Sequence, residues 1–387
     1  MIVIKDKQEC CGCSACMEIC PQKCITMQPD NEGFLYPVVK LEQCIECNLC
    51  IKICPVLNPT LPHEPIYIYA AKNPNEKIRQ DSSSGGIFSL LAENILKEGG
   101  IVFGAAFDIQ WNINHCYISE TAELYKLRGS KYVQSTINGE FSEVEEFLKA
   151  GKKVIFSGTP CQIAGLKHYL KKEYFQLCTI DFVCHGVPSP LVWQTYLNEI
   201  MHKHKIQKKH IQSINFRDKC SGWKNFSFSL KYEKNRKKKE LSEIFYRNHY
   251  LRGFLYDIYL RPSCYNCPVK SGKSYSDITI ADFWGVQHIF PEINTDKGIS
   301  LVMINSAKGE LIYQQMGVSH KPTDYKTIIS YNKSIEESAS CPKELRNKFF
   351  KELGHKTVCQ LVNQLTNFPI KERIKSKILN LLSFIKS

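Results

Sequence analysis

Two periodicities alternate along the chain. Ile66-Tyr67-Ile68-Tyr69-Ala70-Ala71 and Ile101-Val102-Phe103-Gly104-Ala105-Ala106-Phe107 predict buried strands, as does Lys153-Val154-Ile155-Phe156-Ser157. Between them, Gly86 to Lys97 sets Ile87, Leu90, Leu91 and Ile95 at helical spacing. A second helix closes over Val144 to Lys149, and a third is expected near Ile163 to Leu170. Strands alternating with helices predict an α/β core with parallel strands. After Ile211 strand patterns dominate, at Ser213 to Arg217, Ser227 to Tyr232, Asp277 to Ala281 and Ser300 to Ile304. A helical stretch is expected from about Lys343 onward.

The first 57 residues have neither periodicity and are rich in cysteine. Pro59, Pro62 and Pro65 then predict a stiff linker over 58–66, because proline fixes φ and supplies no N–H. At 387 residues the chain has room for two or three domains, and 43% apolar with 23% charged residues is ordinary for a globular protein. No signal core opens the chain and no apolar run spans a membrane, so a reducing cytoplasm is the expected compartment. The net charge of +13 raises a nucleic-acid reading. Its densest run, Lys234-Asn235-Arg236-Lys237-Lys238-Lys239, lies between two alternating segments and predicts the solvated tip of a β-hairpin instead. No nucleic-acid partner is therefore expected; an acidic redox partner is another use for the charge. Near the end, Ile370, Ile374, Ile378, Leu381, Leu382 and Ile385 fall on one helical face among lysines. Either a docked terminal helix or a peripheral membrane contact follows from that pattern.

Ten of the 19 cysteines fall between Cys10 and Cys54. Cys10, Cys13, Cys16 and Cys20 precede Pro21; Cys44, Cys47, Cys50 and Cys54 precede Pro55. Both runs read C-x2-C-x2-C-x3-C-P, the spacing of bacterial ferredoxins that hold two 4Fe–4S clusters. In that arrangement the fourth cysteine starts a helix and ligates the neighbouring cluster. The expected sets are Cys10, Cys13, Cys16 with Cys54, and Cys44, Cys47, Cys50 with Cys20. Zinc would be served by two C-x2-C pairs and calls for neither the fourth cysteine nor the proline. Cys11 and Cys24 lie off the pattern and are expected as small buried residues beside the clusters.

Two turns in the α/β part can start helices. Asp81-Ser82-Ser83-Ser84-Gly85-Gly86 precedes Ile87, and Ser157-Gly158-Thr159-Pro160-Cys161-Gln162 follows a strand. Each is either a plain cap or an anion site suited to phosphate. Four further cysteines lie near such features: Cys161, Cys184, Cys264 and Cys267. They either form a third 4Fe–4S site or divide into core thiols and a C-x2-C redox or zinc half-site.

The stretches Ser82 to Gly86, Leu127-Arg128-Gly129-Ser130-Lys131-Tyr132-Val133-Gln134, Gly158 to Leu166, Val183 to Pro190, Asn215 to Lys219, Gly222-Trp223-Lys224, Arg261 to Cys267 and Ser276 to Gly285 carry a resemblance. In that order they resemble the coenzyme F420 hydrogenase/dehydrogenase beta-subunit family, fused to a dicluster ferredoxin domain. The resemblance covers about residues 1 to 315 and implies a ferredoxin domain over 1–57, an N-terminal family domain over 67–175 and a C-terminal one over 176–320; the helical extension expected over 340–387 lies beyond it. The implied fold class is α+β and α/β, a small two-cluster module ahead of a mixed α/β flavin-binding core. The resemblance further implies an oxidoreductase in which FAD exchanges a hydride with a small-molecule donor or acceptor. Electrons then pass singly to the clusters and a redox partner protein. Ser83, Ser84, Gly85, Gly86, Gly158, Thr159, Pro160 and Gln162 would hold FAD phosphates; Lys131 and Arg128 would be either flavin or substrate contacts or surface ion-pair residues; and Cys161, Cys184, Cys264 and Cys267 would ligate iron. Several similar bacterial chains resemble neighbours of polysaccharide pyruvyl transferases, which leaves a pure electron-relay protein serving surface-sugar assembly as the alternative.

Overall fold

The computed structural model describes residues 1–293 and 295–367. In the N-terminal module, β1 (Ile25–Pro29) and β2 (Leu35–Val39) pair antiparallel, Ile25 opposite Val39. Two four-residue helices, Ala15–Glu18 and Leu49–Lys52, carry the third cysteine of each run, Cys16 and Cys50. This corrects the expected helix placement, since Cys20 and Cys54 lie just past the helix ends. Ser14 and Asn48 stand in the left-handed region at the two N-caps and turn the chain into a helix right after the second cysteine.

The core is one eight-stranded sheet. It contains β3 (Tyr67–Ala71), β4 (Ile101–Phe107), β5 (Ile113–Ile118), β6 (Val154–Ser157) and β7 (Leu177–Phe182). A second, three-stranded antiparallel sheet is built from β8 (Ile211–Asp218), β9 (Ser227–Lys234) and β10 (Lys237–Ile244). β11 (Ile278–Asp282), β12 (Ser300–Ile304) and β13 (His320–Thr323) complete the large sheet, ordered β13-β3-β12-β11-β7-β6-β4-β5. Strands β4, β6, β7 and β11 run parallel; the outer pairings are antiparallel. The carboxyl ends of β3, β4, β6, β7 and β11 therefore share one edge. The sheet draws strands from both sides of residue 175, so the segments 67–175 and 176–320 share one hydrophobic core.

β4 and β6 are buried on both faces, which explains their unbroken apolar runs. Val102 and Ile155 pack toward Ile87, Leu91 and Ile95 of the helix Ile87–Lys97. Phe103 and Phe156 pack toward Phe141, Val144, Ile163 and Leu166, on the helices Glu140–Lys149 and Pro160–Leu170. Cys11, Cys13 and Ala15 of the module complete this second cluster, so the module rests on the core's helical face. β5 and β7 and the long helix Pro190–His204 are absent from the periodicity reading. In β7, buried Thr179 and Asp181 interrupt the apolar run that would announce a strand.

The second sheet, the helix His249–Leu255 and the cysteine loop are inserted between β7 and β11. Trp193, Phe216, Phe228, Tyr250 and Tyr259 form its core, closed by Phe349 and Leu361 from the helices Lys343–Glu352 and Val358–Thr366. The hairpin expected around residues 234–239 is present, with a tighter tip: only Asn235 and Arg236 turn, both at positive φ. Lys237, Lys238 and Lys239 continue the strand. The linker is pinned rather than free, since Thr60 Oγ1 donates to Lys273 O (2.5 Å) and His63 N to Ser271 O (2.9 Å). Among the described residues no helix is long and apolar enough to cross a membrane. The apolar face formed by Ile370 to Ile385 lies outside the described residues.

Candidate iron–sulfur centres and the crevice beside them

The ferredoxin runs fold so that ligands from both come together. Burial, followed by the nearby thiols of Cys10, Cys54 and Cys50, raises the pKa of Cys16. Burial likewise raises Cys54, with Cys10 and Cys50 as further causes. Cys10, Cys16 and Cys54 thus sit in one neighbourhood, with Cys13 beside Cys16 and Cys54. Cys20, Cys44, Cys47 and Cys50 line a second, open cavity, together with Cys24. Cys24 is buried with its sulfur 3.4 Å from that of Cys20. This second site reaches the surface, where Cys47 is exposed.

Cys161, Cys184, Cys264 and Cys267 line one cavity, although the last lies 106 positions after the first. The topology explains the meeting. Cys161 opens the helix that follows β6, and Cys184 lies two residues beyond β7, both at the carboxyl edge of the sheet. Residues 184–189 then pair with 259–264: Ser189 N donates to Tyr259 O, Arg261 N to Val187 O, and Val187 N to Cys264 Sγ at 3.4 Å. Lys270 Nζ ties the loop by donating to Cys184 O and Ser334 O, both at 2.6 Å.

Burial, together with the neighbouring thiols, raises Cys184, Cys264 and Cys267, Cys264 to about 12; Cys161 is raised by its hydrogen bond with Cys11 and then by burial. A donor set that resists ionising alone but faces a shared cavity suits a cationic cluster, since a coordinated thiol is deprotonated outright. Among the described residues no group of three or more Cys, His, Asp or Glu side chains is arranged around a single metal ion. The Cys44 and Cys161 sets are spread around cavities instead. Cys11 links the two regions: it is 5% exposed and within hydrogen-bond reach of Cys13 on one side and Cys161 on the other. Gly165, one turn along the Cys161 helix, packs against Cys13, where a Cβ would stand 3.0 Å from the Cys13 sulfur.

The residues expected at a flavin line the same carboxyl edge, and most of their side chains have protein partners. Ser83 Oγ accepts from Ser130 N at 2.7 Å, and Ser84 Oγ donates to Ile299 O at 2.8 Å. Gly85 fits tightly between β3 and β12, where a Cβ would lie 2.5 Å from Ser300 N. Gly86 starts the helix Ile87–Lys97, preceded by a helix, Glu76–Asp81, rather than directly by a strand. Gly158 N donates to Ile180 O. Thr159 and Gln162 form a reciprocal capping box around Pro160, and Gln162 Nε2 donates to Ser135 Oγ at 3.0 Å. The Thr159 hydroxyl also lies 3.1 Å from Cys161 Sγ, so this turn positions a candidate ligand. Lys131 is not a surface ion-pair residue. Its Nζ donates to the carbonyls of Leu127, Arg128 and Gly129, and burial pushes its pKa down to about 7. Arg128 Nε donates to Ser89 Oγ.

Other groups at this edge escaped the sequence reading. Arg217 pairs with Asp282 (2.6 Å), which also accepts from Trp223 Nε1 (2.7 Å). Trp223 stacks on Trp284 with centroids 5.0 Å apart. Lys219 Nζ donates to Ser84 O, Arg79 O and Lys297 O, fixing the serine turn. Asp181 lines the cysteine cavity, accepts from the Ser274 and Thr279 hydroxyls at 2.5 Å each, and is pushed up to about 6 by burial. Arg217, Lys219 and Asp282 lie inside the motif stretches, but their partners are 59 to 140 residues away.

Converging cysteine quartets joined to an α/β core define an iron–sulfur electron-transfer protein. The family follows from the sequence comparisons. Two models of the coenzyme F420 hydrogenase/dehydrogenase beta chain match, the one for its N-terminal part over residues 68–139 and the one for its C-terminal part over 151–324. A third, the 4Fe-4S dicluster domain, matches 9–58. The chain belongs to the coenzyme F420 hydrogenase/dehydrogenase beta-subunit family and carries a 4Fe–4S dicluster domain at its front. It is similar to a chain in a solved structure described as the F420-reducing NiFe hydrogenase complex from Methanosarcina barkeri. Identity is 16% and the TM-score 0.45, over 78% of this chain and 91% of that one. No curated protein matches.

Proposed function

We propose that the chain is an iron–sulfur flavoprotein oxidoreductase that exchanges two electrons with a hydride donor or acceptor and passes them singly to a partner protein. The observation that carries this reading is the convergence of Cys161, Cys184, Cys264 and Cys267 on one cavity at the carboxyl edge of the sheet, where α/β folds bind ligands. FAD bound there would supply the conversion between hydride and single electrons, which clusters accept one at a time.

The chain's own residues would do the rest. Lys219 and Lys131 hold the serine turn and the residue 127–131 turn in fixed shape through three carbonyls each. The Arg217–Asp282 pair and the Trp223–Trp284 stack form a rigid wall. The Asp181 carboxyl would exchange a proton near pH 6 beside the cysteine cavity. Electrons would leave the core quartet past Cys11 to the Cys10 set, then to the Cys44 set. At that surface Cys47 is exposed beside Ile45, which is 60% exposed, a face suited to a redox partner.

One observation favours the second reading, an electron relay with no substrate of its own. Ser83, Ser84, Lys131, Thr159 and Gln162 all have partners within the chain. Denaturing the anaerobically purified protein separates the two. Release of about one FAD per chain, with bleaching of the native chromophore by a hydride donor, supports the flavoprotein. Iron and sulfide without flavin supports the relay.

A further inference from the structure

Arg261 belongs to the core, three residues before Cys264, yet its guanidinium is spent on the ferredoxin module. The side chain is wholly buried, at 0% exposure. Nε donates to Cys10 O at 2.7 Å, Nη1 to Gln134 Oε1 at 3.0 Å, and Nη2 to both Leu35 O at 2.9 Å and Cys10 Sγ at 3.4 Å. Its face lies over the Tyr36 ring, 4.4 Å from the centroid. Gly12 makes room for it, since a Cβ there would stand 2.6 Å from Nη1, and Gly12 itself has φ +70. Gln134 completes the clamp by donating to Cys11 O at 3.1 Å.

A guanidinium stays charged under any condition the protein survives. It is buried here, where charge acts more strongly than in water. Cys10 opens the first ferredoxin run, and Arg261 donates a charge-assisted hydrogen bond to its sulfur. Reducing a cluster adds one negative charge, and hydrogen bonds to the sulfurs together with net charge set the potential. A fixed cation at the ligand sulfur stabilises the reduced form.

We propose that Arg261 sets the reduction potential of the first ferredoxin cluster, raising it through the bond to Cys10 Sγ so that this cluster accepts electrons from the core. The inference rests on the reading that the quartets hold 4Fe–4S clusters. Arg261 is a positioning and tuning residue and touches no substrate.

The test is a potentiometric titration followed by electron paramagnetic resonance on anaerobic full-length protein, with iron counted on each sample. R261Q is expected to lower the equilibrium constant for reducing the first cluster at least tenfold, which is 59 mV for one electron. The second cluster, in the same molecule, stays in place as the internal reference. R261K keeps the charge but lacks the fork that reaches Cys10 Sγ and Leu35 O together, so it shifts the same way by less. R346Q breaks a different tie between module and core, the Arg346–Glu32 pair, and is expected to leave the potential unmoved. If R261Q loses iron, R261K decides. Full iron with the wild-type potential in R261Q or R261K overturns the proposal. So does R346Q moving the potential as far as R261Q, because docking and not the sulfur bond would then be the cause. Wild-type protein without iron would instead end the underlying cluster reading.

Discussion

Gly165→Val is the sharpest test of how the core supports the module. Gly165 lies in the helix Pro160–Leu170, one turn after Cys161, and faces Cys13 of the first ferredoxin run. An added Cβ would stand 3.0 Å from both Cβ and Sγ of Cys13 and 3.5 Å from the Phe141 ring. Alanine gains up to about 1 kcal/mol of helix propensity and meets an overpacking cost of about 1–3 kcal/mol. Its net effect is a loss of about 0–2 kcal/mol, which the Cys13 loop absorbs by shifting a few tenths of an ångström. Valine places two more methyl groups in the same gap and loses propensity through its branched Cβ. The helix and the Cys13 loop must then separate. Gly165→Ala is expected to retain its iron with a changed signal from the first cluster. Gly165→Val is expected to lose about four irons, one cubane, while the second ferredoxin cluster stays reducible. Iron analysis with electron paramagnetic resonance reads both outcomes. Wild-type iron, signal and melting temperature in Gly165→Val would refute the tight packing of this helix on the Cys13 loop.

Three other outcomes follow from the same structure. Cys184→Ala and Cys267→Ala should each remove about four irons while leaving the ferredoxin signals intact, as seen by iron count and spectroscopy. Asp282→Asn strips the buried Arg217 of its counter-charge and should cost about 3–5 kcal/mol in chemical denaturation; Arg217→Met/Asp282→Asn should recover part of that loss. The carboxyl of Asp181 is raised to about 6 by burial, so its favourable protonated state is fully present below the unfolded pKa near 3.9 and lost as pH rises through 6. Stability should fall across that window by on the order of 3 kcal/mol, about half of it above pH 5, and Asp181→Asn should flatten the profile, which denaturant midpoints at pH 5 and 7.5 would show.

What the sequence discloses follows the distance between partners. The ferredoxin ligands are legible because three of each four lie within seven residues and the fourth follows at a fixed spacing. Cys161 and Cys184 stand out only through the turns around them, and their meeting with Cys264 depends on a sheet edge that periodicity does not display. Strands β4 and β6 are plain apolar runs, whereas β7 hides behind Thr179 and Asp181, whose hydroxyl and carboxylate partners come from residues 274–279. Arg261 reads as an ordinary basic residue beside a C-x2-C pair. Its acceptors lie 127 to 251 residues away, and only the folded chain brings Cys10 under its guanidinium. Lys131 shows the converse: position and charge mark it for a ligand, yet its ammonium is spent on three carbonyls of its own turn.

Counting iron and acid-labile sulfide in anaerobically purified protein, alongside the paramagnetic signals of the reduced form, bears most directly on the cysteine quartets. About twelve irons per chain with matching sulfide, and signals from interacting reducible centres, are the expected result. A colourless protein holding zinc in place of iron, with nothing to reduce, would contradict it.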